Sequence, residues 1–176
     1  WQMLKPEDDG EWTASAYFIR SRLALFSNFT YYLDNPVDGD QFEQAESRNV
    51  MGGSLSRLWR GSLGGLASNT TVGAQWRRDS LSPVGLYTAK EGVRTGVTQE
   101  SRVRQTGVGV FAQNETRWLP WLRSVAGLRA DRSSVDVTSN IDANSGERSA
   151  WINSPKLSLI FGPWASSEFY VNLGRG

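Results

Sequence analysis

The sequence contains no cysteine and no histidine. Without cysteine there is no disulfide framework and no thiolate metal site. Without histidine, the Ser-His-Asp and Cys-His nucleophile systems and the commonest metal ligand are excluded together. The formal net charge is only +1, so the overall balance indicates neither a nucleic-acid-binding surface nor a polyacidic tail. These absences argue against an enzyme and against a nucleic-acid partner.

Long hydrophobic runs are also absent, and the mean hydropathy is −0.44. No membrane-spanning helix is therefore predicted. The same values are compatible with a transmembrane β-barrel, because half of each of its strands faces a polar lumen. Eighteen glycines and eight tryptophans favour a β-rich chain with aromatic anchors. The chain starts at Trp1 without a methionine or a signal peptide, which we interpret as the sign of an excised fragment.

Alternation of apolar and polar residues with a period of two is clearest in the stretch Arg22 to Asp34. This pattern predicts a strand, and about twelve residues suit a tilted strand that crosses a bilayer. Glu11 to Ile19 alternates in the same way and predicts the first strand of the chain. We expect a tight connection at Arg20-Ser21 to join the two strands, and a loop at Trp1 to Gly10.

Six further strands are predicted at Ser47–Arg60, Ala67–Asp79, Val103–Arg117, Leu122–Asp131, Trp151–Phe161 and Glu168–Gly174. Short connections at 20–21, 61–66, 118–121 and 162–166 alternate with long ones at 35–46, 80–101 and 139–149. Outer-membrane barrels have this layout, with short turns on the periplasmic rim and long loops outside. The residues expected to face outward include Leu23, Leu25, Leu128, Leu157, Leu159, Phe169 and Val171.

The expected fold is all-β, an antiparallel up-and-down transmembrane β-barrel represented by about eight consecutive strands of a larger barrel. No helix longer than about three turns is expected. Because partner strands would be missing, we expect an open sheet whose edge strands lie near Trp12 and Phe169.

Charged residues recur on the inward faces of the predicted strands: Arg77, Asp79, Glu115, Arg117, Arg129, Asp131, Lys156 and Glu168. We expect neighbouring strands to pair these charges into ion-pair ladders, with a substrate path as the alternative. No two carboxylates stand out by spacing or by an apolar pocket, so glycoside hydrolysis is not indicated. The stretch Asp34 to Asp40 resembles a calcium loop only in composition, because Pro36 and Ala45 occupy ligand positions of the EF-hand pattern. We interpret it as a turn-forming or ligand-contacting outer loop.

Four stretches resemble consecutive barrel strands of TonB-dependent outer-membrane receptors: Ser27 to Gln44, Gly109 to Asp131, Asn153 to Trp164 and Glu168 to Gly176. Barrels of this family have roughly 22 strands. The resemblance implies a bacterial outer-membrane location and ligand-gated active uptake of a scarce nutrient such as siderophore-bound iron or cobalamin. It implies three partners: outer-membrane lipid, an extracellular small-molecule ligand and a TonB complex. The complex would engage an N-terminal plug domain and TonB box, neither of which is recognisable in residues 1–176. No cofactor is implied.

The candidate ligand-binding residues lie in the expected outer loops and lumen: Asp38, Asp40, Gln41, Arg48, Arg77, Tyr87 and Arg94. The sequence leaves siderophore, cobalamin, sugar and peptide ligands open. A complete small eight-stranded barrel with a structural or adhesive role is the first alternative. A soluble β-sandwich binding module is the second, although Arg129, Asp131 and Lys156 on its inward face contradict an apolar core.

Overall fold

The computed structural model describes residues 1–175, which form one eight-stranded sheet. Each strand pairs antiparallel with the next in sequence, in the order β1 to β8. This up-and-down all-β arrangement confirms the predicted fold class. The strands are β1 (Gln2–Glu7), β2 (Gly10–Ser27), β3 (Phe42–Leu63), β4 (Leu66–Lys90), β5 (Val93–Leu119), β6 (Leu122–Ser139), β7 (Gly146–Trp164) and β8 (Ser167–Gly174).

Helical structure is confined, in the described part of the chain, to the 3₁₀ turn Asp142–Asn144. Within residues 1–175 there is no helix with the length and apolarity needed to cross a bilayer. The prediction of no helix longer than three turns is confirmed for these residues.

Connections differ between the two rims of the sheet. One rim, called here the short-turn rim, carries two-residue turns at 8–9, 64–65, 120–121 and 165–166. The other, the long-loop rim, carries the connections 28–41, 91–92 and 140–145. Gly64, Gly65 and Gly92 have positive φ angles of 59°, 82° and 77°, as tight hairpin turns require. The predicted segregation of short turns to one rim is confirmed, but the opposite rim also contains one tight turn.

The predicted hairpin at Arg20-Ser21 is wrong. β2 runs without a break from Gly10 to Ser27, and residues 20 and 21 pair with Asn49 and Arg48 in a regular register. The turn lies instead at Asp8-Asp9, and the predicted N-terminal loop is strand β1. The physical reason is local, because Arg20 and Ser21 offer no turn conformation whereas Asp-Asp-Gly does.

Three predicted boundaries near the long-loop rim are also wrong. Residues 28–34 leave the sheet, so the second half of the Arg22 to Asp34 stretch is loop rather than strand. The segment 80–101, predicted as a long connection with some strand of its own as an alternative, is the end of β4 and the start of β5, joined by Glu91-Gly92. Pro83 is accommodated because the β4 register shifts between Leu81 and Val84. The predicted loop 139–149 shrinks to 140–145.

The sheet has one polar and one apolar face. Cross-strand pairing places Ser15, Gln75, Gly109 and Asp131 in one row, and the same face carries the inward charges predicted from sequence. The opposite, apolar face carries Leu128, Leu157, Leu159, Phe169 and Val171. Leu128, Phe169 and Val171 are exposed there, while Leu157 and Leu159 are half-buried.

Leu23 and Leu25 contradict the predicted orientation. They lie on the polar face, in register with Glu46 and Gln44. Because β2 is uninterrupted, every second residue after Tyr17 lies on the same face as Tyr17. A side-chain period of two leaves no other choice once the turn at residues 20–21 is absent.

Aromatic side chains bound the apolar face at two levels. Near the short-turn rim lie Trp12, Trp59, Trp118, Trp121, Phe161, Trp164 and Phe169, and Trp121 stacks on Trp164 with ring centroids 6.1 Å apart. Phe18, Trp76 and Trp151 form the second level. Ten residues of β5 separate Trp118 from Val108, which is about 34 Å along the strand. At a tilt of 35–45° this gives a height of about 24–28 Å, close to the apolar band of about 25 Å in outer-membrane barrels.

Two polar side chains that interrupt the apolar face, Asn114 and Arg57, have local partners. Asn114 donates to the hydroxyls of Ser68 and Thr70 at 2.8 and 2.9 Å, and accepts from Thr116 at 2.6 Å. Arg57 interrupts the apolar stripe of β3. Its guanidinium lies about 5 Å from the rings of Trp12 and Trp59 and pairs with Glu7 at 3.0 Å. The Nε of Arg57 is buried and has no hydrogen-bond partner among the described residues, so the polar groups of this face are satisfied at Asn114 and only partly at Arg57.

The two edges of the sheet do not pair with each other in residues 1–175, since β1 contacts only β2 and β8 only β7. An open sheet is what consecutive strands of a larger barrel are expected to form. The predicted edge near Phe169 is confirmed, whereas the one near Trp12 is wrong because β1 covers residues 10–15 of β2. Because β8 has no ladder with Glu11–Ile19, the described strands do not form a small closed barrel.

Candidate functional site

A cleft on the polar face is the first candidate site. It has a volume of about 450 Å³ and is lined by Tyr17, Gln75, Arg77, Arg129 and Asp131, among others. Strands β2, β4 and β6 supply these side chains, and β3 and β5 complete the lining with Ser54 and Gly109, among others. Sites built on paired strands hold their side chains in fixed positions. The cleft therefore presents hydroxyl, amide, guanidinium and carboxylate groups to the side that becomes the lumen in a barrel.

Two arginine–aspartate pairs form the charged walls of this cleft. Arg77 donates from Nε and Nη2 to the carboxylate of Asp79 at 2.7 and 2.8 Å. Arg129 does the same to Asp131 at 2.7 and 2.6 Å. Both pairs join residues i and i+2 of one strand, so they are not the cross-strand ladders expected from sequence. Bidentate geometry fixes each guanidinium while leaving its remaining N–H groups for a ligand.

Glycines make room for these side chains. A Cβ at Gly109 would collide with Asp131 Oδ1 and with Arg129 Nη2, which lie across that backbone. A Cβ at Gly52 would collide with the hydroxyl of Tyr17 in the same way. Glycine at these two strand positions is therefore explained by close approach of a side chain, a recognised use of glycine in sheets.

A second cleft adjoins the first toward the short-turn rim. Its volume is also about 450 Å³, and it shares Gln75, Arg129 and Asp131 with the first cleft. Lys156 and Ser158 of β7 complete its polar lining. Arg129 Nη1 donates to Gln75 Oε1 at 3.1 Å, so one side chain spans both clefts. The polar lining is thus continuous over a length suited to a ligand larger than either cleft.

Cross-strand ion pairing does occur closer to the short-turn rim. Arg123 of β6 lies 3.5 Å from Glu115 of β5 and 3.2 Å from Glu168 of β8. This three-residue cluster matches the predicted pairing of inward charges between strands. It ties three strands together below the clefts.

Three of the residues predicted from sequence lie in loop 28–41 and line a cleft of about 530 Å³ at the long-loop rim. Asp38 accepts from Lys90 Nζ at 2.7 Å, and this hydrogen bond holds the pKa of the Asp38 carboxyl below its usual value. Asp40 accepts from the backbone N–H groups of Asp34 and Asn35 at 3.1 and 2.7 Å. Gln41 accepts from the Gly92 N–H at 2.7 Å. These contacts close the loop onto the β4–β5 turn.

Tyr87 and Arg94 lie on the other face of the sheet. The Tyr87 ring is 1% exposed, and the Arg94 guanidinium lies 3.4 Å from its centroid. Arg94 pairs with Glu43 at 2.8 Å, while the Tyr87 hydroxyl donates to Glu100 at 2.7 Å. Burial, and then the hydrogen bond to Glu100, raises the pKa of Tyr87 to about 12. These residues form a packed cluster above the aromatic band and do not line the lumen.

The seven predicted residues therefore separate into three groups. Arg77 lines the main cleft, and Arg48, paired with Glu46 at 2.8 Å, lies on the same face near Asp79. Asp38, Asp40 and Gln41 share the loop cleft. The sequence did not single out Tyr17 and Gln75 as binding residues. Their positions on the polar side of two alternating strands were the only available signal.

The chain forms an open antiparallel sheet with a charged polar face, an apolar band between two aromatic levels and short turns on one rim. The family described as TonB dependent receptor-like, beta-barrel, matches residues 4–176. The chain belongs to this family. The match covers nearly the whole chain and includes all or part of each of the eight strands. Among curated proteins, no significant match to the chain is found.

Membership of the TonB-dependent receptor family agrees with the prediction made from four stretches of sequence. Proteins of this family are receptors and transporters of the bacterial outer membrane, coupled to TonB, rather than enzymes. The family assignment also explains the two faces of the sheet, since lumen-facing and lipid-facing residues alternate in every strand of such a barrel.

Proposed function

We propose that this chain is part of the wall of an outer-membrane receptor that takes up an extracellular ligand, with energy supplied through TonB. The observation that carries the proposal is the continuous polar lining from Arg77 to Lys156, set against an apolar face of bilayer height. Family membership supports the same function. No catalytic role is part of the proposal.

The ligand class we propose is a polar nutrient that is scarce outside the cell, such as siderophore-bound iron or cobalamin. Two adjoining clefts of about 450 Å³ each offer room for a ligand of several hundred daltons. Arg129 reaches both clefts and keeps N–H groups beyond those bound to Asp131. Guanidinium groups of this kind favour carboxylate or phosphate oxygens on the ligand.

We propose two sets of ligand contacts. The lumenal set contains Arg48 and Arg77 with Tyr17, Gln75 and Arg129. The set at the long-loop rim contains Asp38, Asp40 and Gln41. Tyr87 and Arg94 act indirectly by supporting the strands next to that loop, because their side chains pack on the outward face.

An uptake assay in cells tests the proposal. The full-length receptor is expressed in a host that lacks its own copy, and uptake of labelled ferric siderophores and cobalamin is followed with and without functional TonB. We expect uptake of one ligand class that disappears without TonB. Uptake that persists without TonB, or no uptake of any nutrient together with surface adhesion, would overturn the proposal.

A matched pair of variants then tests the cleft. Arg129→Gln removes the side chain that spans both clefts, whereas Arg148→Gln removes a charge from the same face outside them. We expect the first variant to weaken ligand binding roughly tenfold or more, the cost of one lost charge-assisted hydrogen bond, and the second to bind normally. Equal binding by both variants would remove the clefts from the ligand path.

A further inference from the structure

Two glycines in the interior of strands, Gly107 of β5 and Gly127 of β6, have no structural reason to be glycine within residues 1–175. Neither has a positive φ angle, and strand pairing is regular on both sides of each. A Cβ at Gly107 would meet no atom within 4 Å, and one at Gly127 would meet only atoms at 3.6 Å or more. Backbone conformation, a bulge and close packing are therefore all excluded as reasons.

Glycine in a strand interior is unfavourable, because it loses much backbone entropy on folding and packs no side chain. Three other glycines on the polar face offset this cost, since a Cβ there would collide with a side chain of a neighbouring strand: Gly52, Gly73 and Gly109. Strand glycines without such a neighbour often mark the close approach of a ligand. Gly107 and Gly127 fit this second use.

Gly107 belongs to the lining of the first cleft. It pairs with Arg77 on one side and with Ser133 on the other. Neighbouring strands lie about 4.8 Å apart, so these two flanking residues stand about 9–10 Å apart. The two inward arginines of this cleft each hold an aspartate. The missing side chain thus leaves a depression of single-group width, bordered by hydrogen-bonding groups whose charges are balanced.

Gly127 has the corresponding position in the second cleft. It pairs with Gln113 and Lys156, which again stand about 9–10 Å apart. An amide and an ammonium group therefore border a depression of the same width. A leucine at either glycine would fill its depression, and the space around the added Cβ shows that it would press on little of the fold.

We propose that Gly107 and Gly127 are specificity-determining residues of the ligand path. Each leaves room for one compact polar group of the transported ligand, and the absent side chain sets the size of the largest group that fits. This inference rests on the proposed uptake function and extends it by assigning the two positions at which ligand size is selected. A side chain at either position excludes the ligand by steric overlap and leaves the sheet unchanged.

The test measures TonB-dependent uptake by leucine variants of the full-length receptor, in a host without its own receptors for the probes. The probes are a labelled ferric hydroxamate siderophore, a labelled ferric catecholate siderophore and labelled cyanocobalamin. Gly107→Leu and Gly127→Leu fill the depressions. Gly61→Leu is the matched control, because its Cβ also meets nothing within 4 Å but lies on the apolar face, outside both clefts. The urea midpoint of each purified variant reports on its stability.

We expect each cleft variant to raise the half-saturating concentration of the transported probe roughly tenfold or more. The urea midpoint should not change, and Gly61→Leu should behave like wild type in both assays. Alanine at either cleft position should raise the half-saturating concentration less, because a methyl group fills less of the depression. An unchanged half-saturating concentration in either leucine variant would overturn the proposal. A lowered urea midpoint would do the same, since it would reveal a structural need for glycine.

A further measurement separates the ligand from another part of the receptor as the occupant of this space. Sensitivity of the cells to vancomycin rises if an added side chain displaces a part of the receptor that blocks the lumen. Greater sensitivity with Gly107→Leu or Gly127→Leu than with Gly61→Leu would overturn the proposal. Equal sensitivity of the three variants, together with weaker uptake by the first two, supports it.

This inference and the proposed function fail in different ways. Absence of TonB-dependent uptake of every probe by the wild-type receptor overturns the transport function, and the size selection with it. Normal uptake by wild type, with no effect of leucine at the two cleft positions, overturns the size selection alone.

Discussion

An arginine placed in the middle of the apolar face should cost more stability than the same residue on the polar face. Leu128 is the most informative position, since it is 58% exposed and lies seven residues from the turn at 120–121, near mid-height of the apolar band. Arginine at the bilayer midplane on the lipid face of a barrel costs about 2–4 kcal/mol, falling to about 0–1 near the interfaces. Leu128→Arg is therefore expected to lower the free energy of unfolding by about 3 kcal/mol.

Two control variants separate the effect of the face from the effect of depth. Gln113→Arg lies at similar depth on the polar face and should change the free energy of unfolding by less than about 1 kcal/mol. Val108→Arg lies on the lipid face beside the upper aromatic level and should cost about 0–1 kcal/mol. The assay is equilibrium unfolding in urea of the full-length receptor in phospholipid vesicles. A neutral Leu128→Arg, or a Gln113→Arg that costs as much, would refute the assignment of faces.

Three further predictions concern local contacts. Gly73→Ala should lower stability by about 1–3 kcal/mol because its Cβ would press on a phenyl ring at 2.5 Å, whereas Gly107→Ala, with nothing within 4 Å, should be nearly neutral in the same urea assay. Because the pKa of Tyr87 is raised to about 12, the tyrosinate absorbance of wild type and of Tyr87→Phe should be nearly the same up to about pH 11 and should differ above it. The raised pKa also means that the contribution of Tyr87 to stability falls as pH rises from about 10 to about 12. Because Lys90 lowers the pKa of Asp38, the loop contact should persist above pH 4 and weaken as pH falls through that lowered value, seen as faster hydrogen exchange in loop 28–41.

Strand faces within the membrane band were predictable because a buried or lipid-facing side imposes a strict period of two. The alternation in Leu122 to Asp131 and in Trp151 to Phe161 correctly placed Leu128, Leu157 and Lys156. The two-residue turns at 64–65 and 120–121 were also within the predicted connections, since glycine and proline mark them.

The parts that failed lie where this constraint is weaker. Beyond the apolar band both faces of a strand meet water, so Ser80 to Ser101 shows no clean alternation although it is strand. In β2, two alternating stretches adjoin without a turn. No residue pattern around Arg20 shows that the same side of the strand continues to face the polar side beyond it. The loop cleft depends on contacts between Asp38 and Lys90, 52 positions apart, which no local pattern can reveal.

Single cysteines along β6 test the central claim most directly. The chain has no cysteine of its own, so a scan of Ala126 to Asp131 can carry a spin label at each position, with any cysteine of the full-length receptor outside residues 1–176 replaced by serine. In lipid vesicles, labels at 126, 128 and 130 should be relaxed by oxygen, and labels at 127, 129 and 131 by a water-soluble nickel complex. This alternation is expected if β6 crosses a bilayer with its polar face toward the lumen. Uniform accessibility along the strand, or the opposite alternation, would contradict the transmembrane barrel.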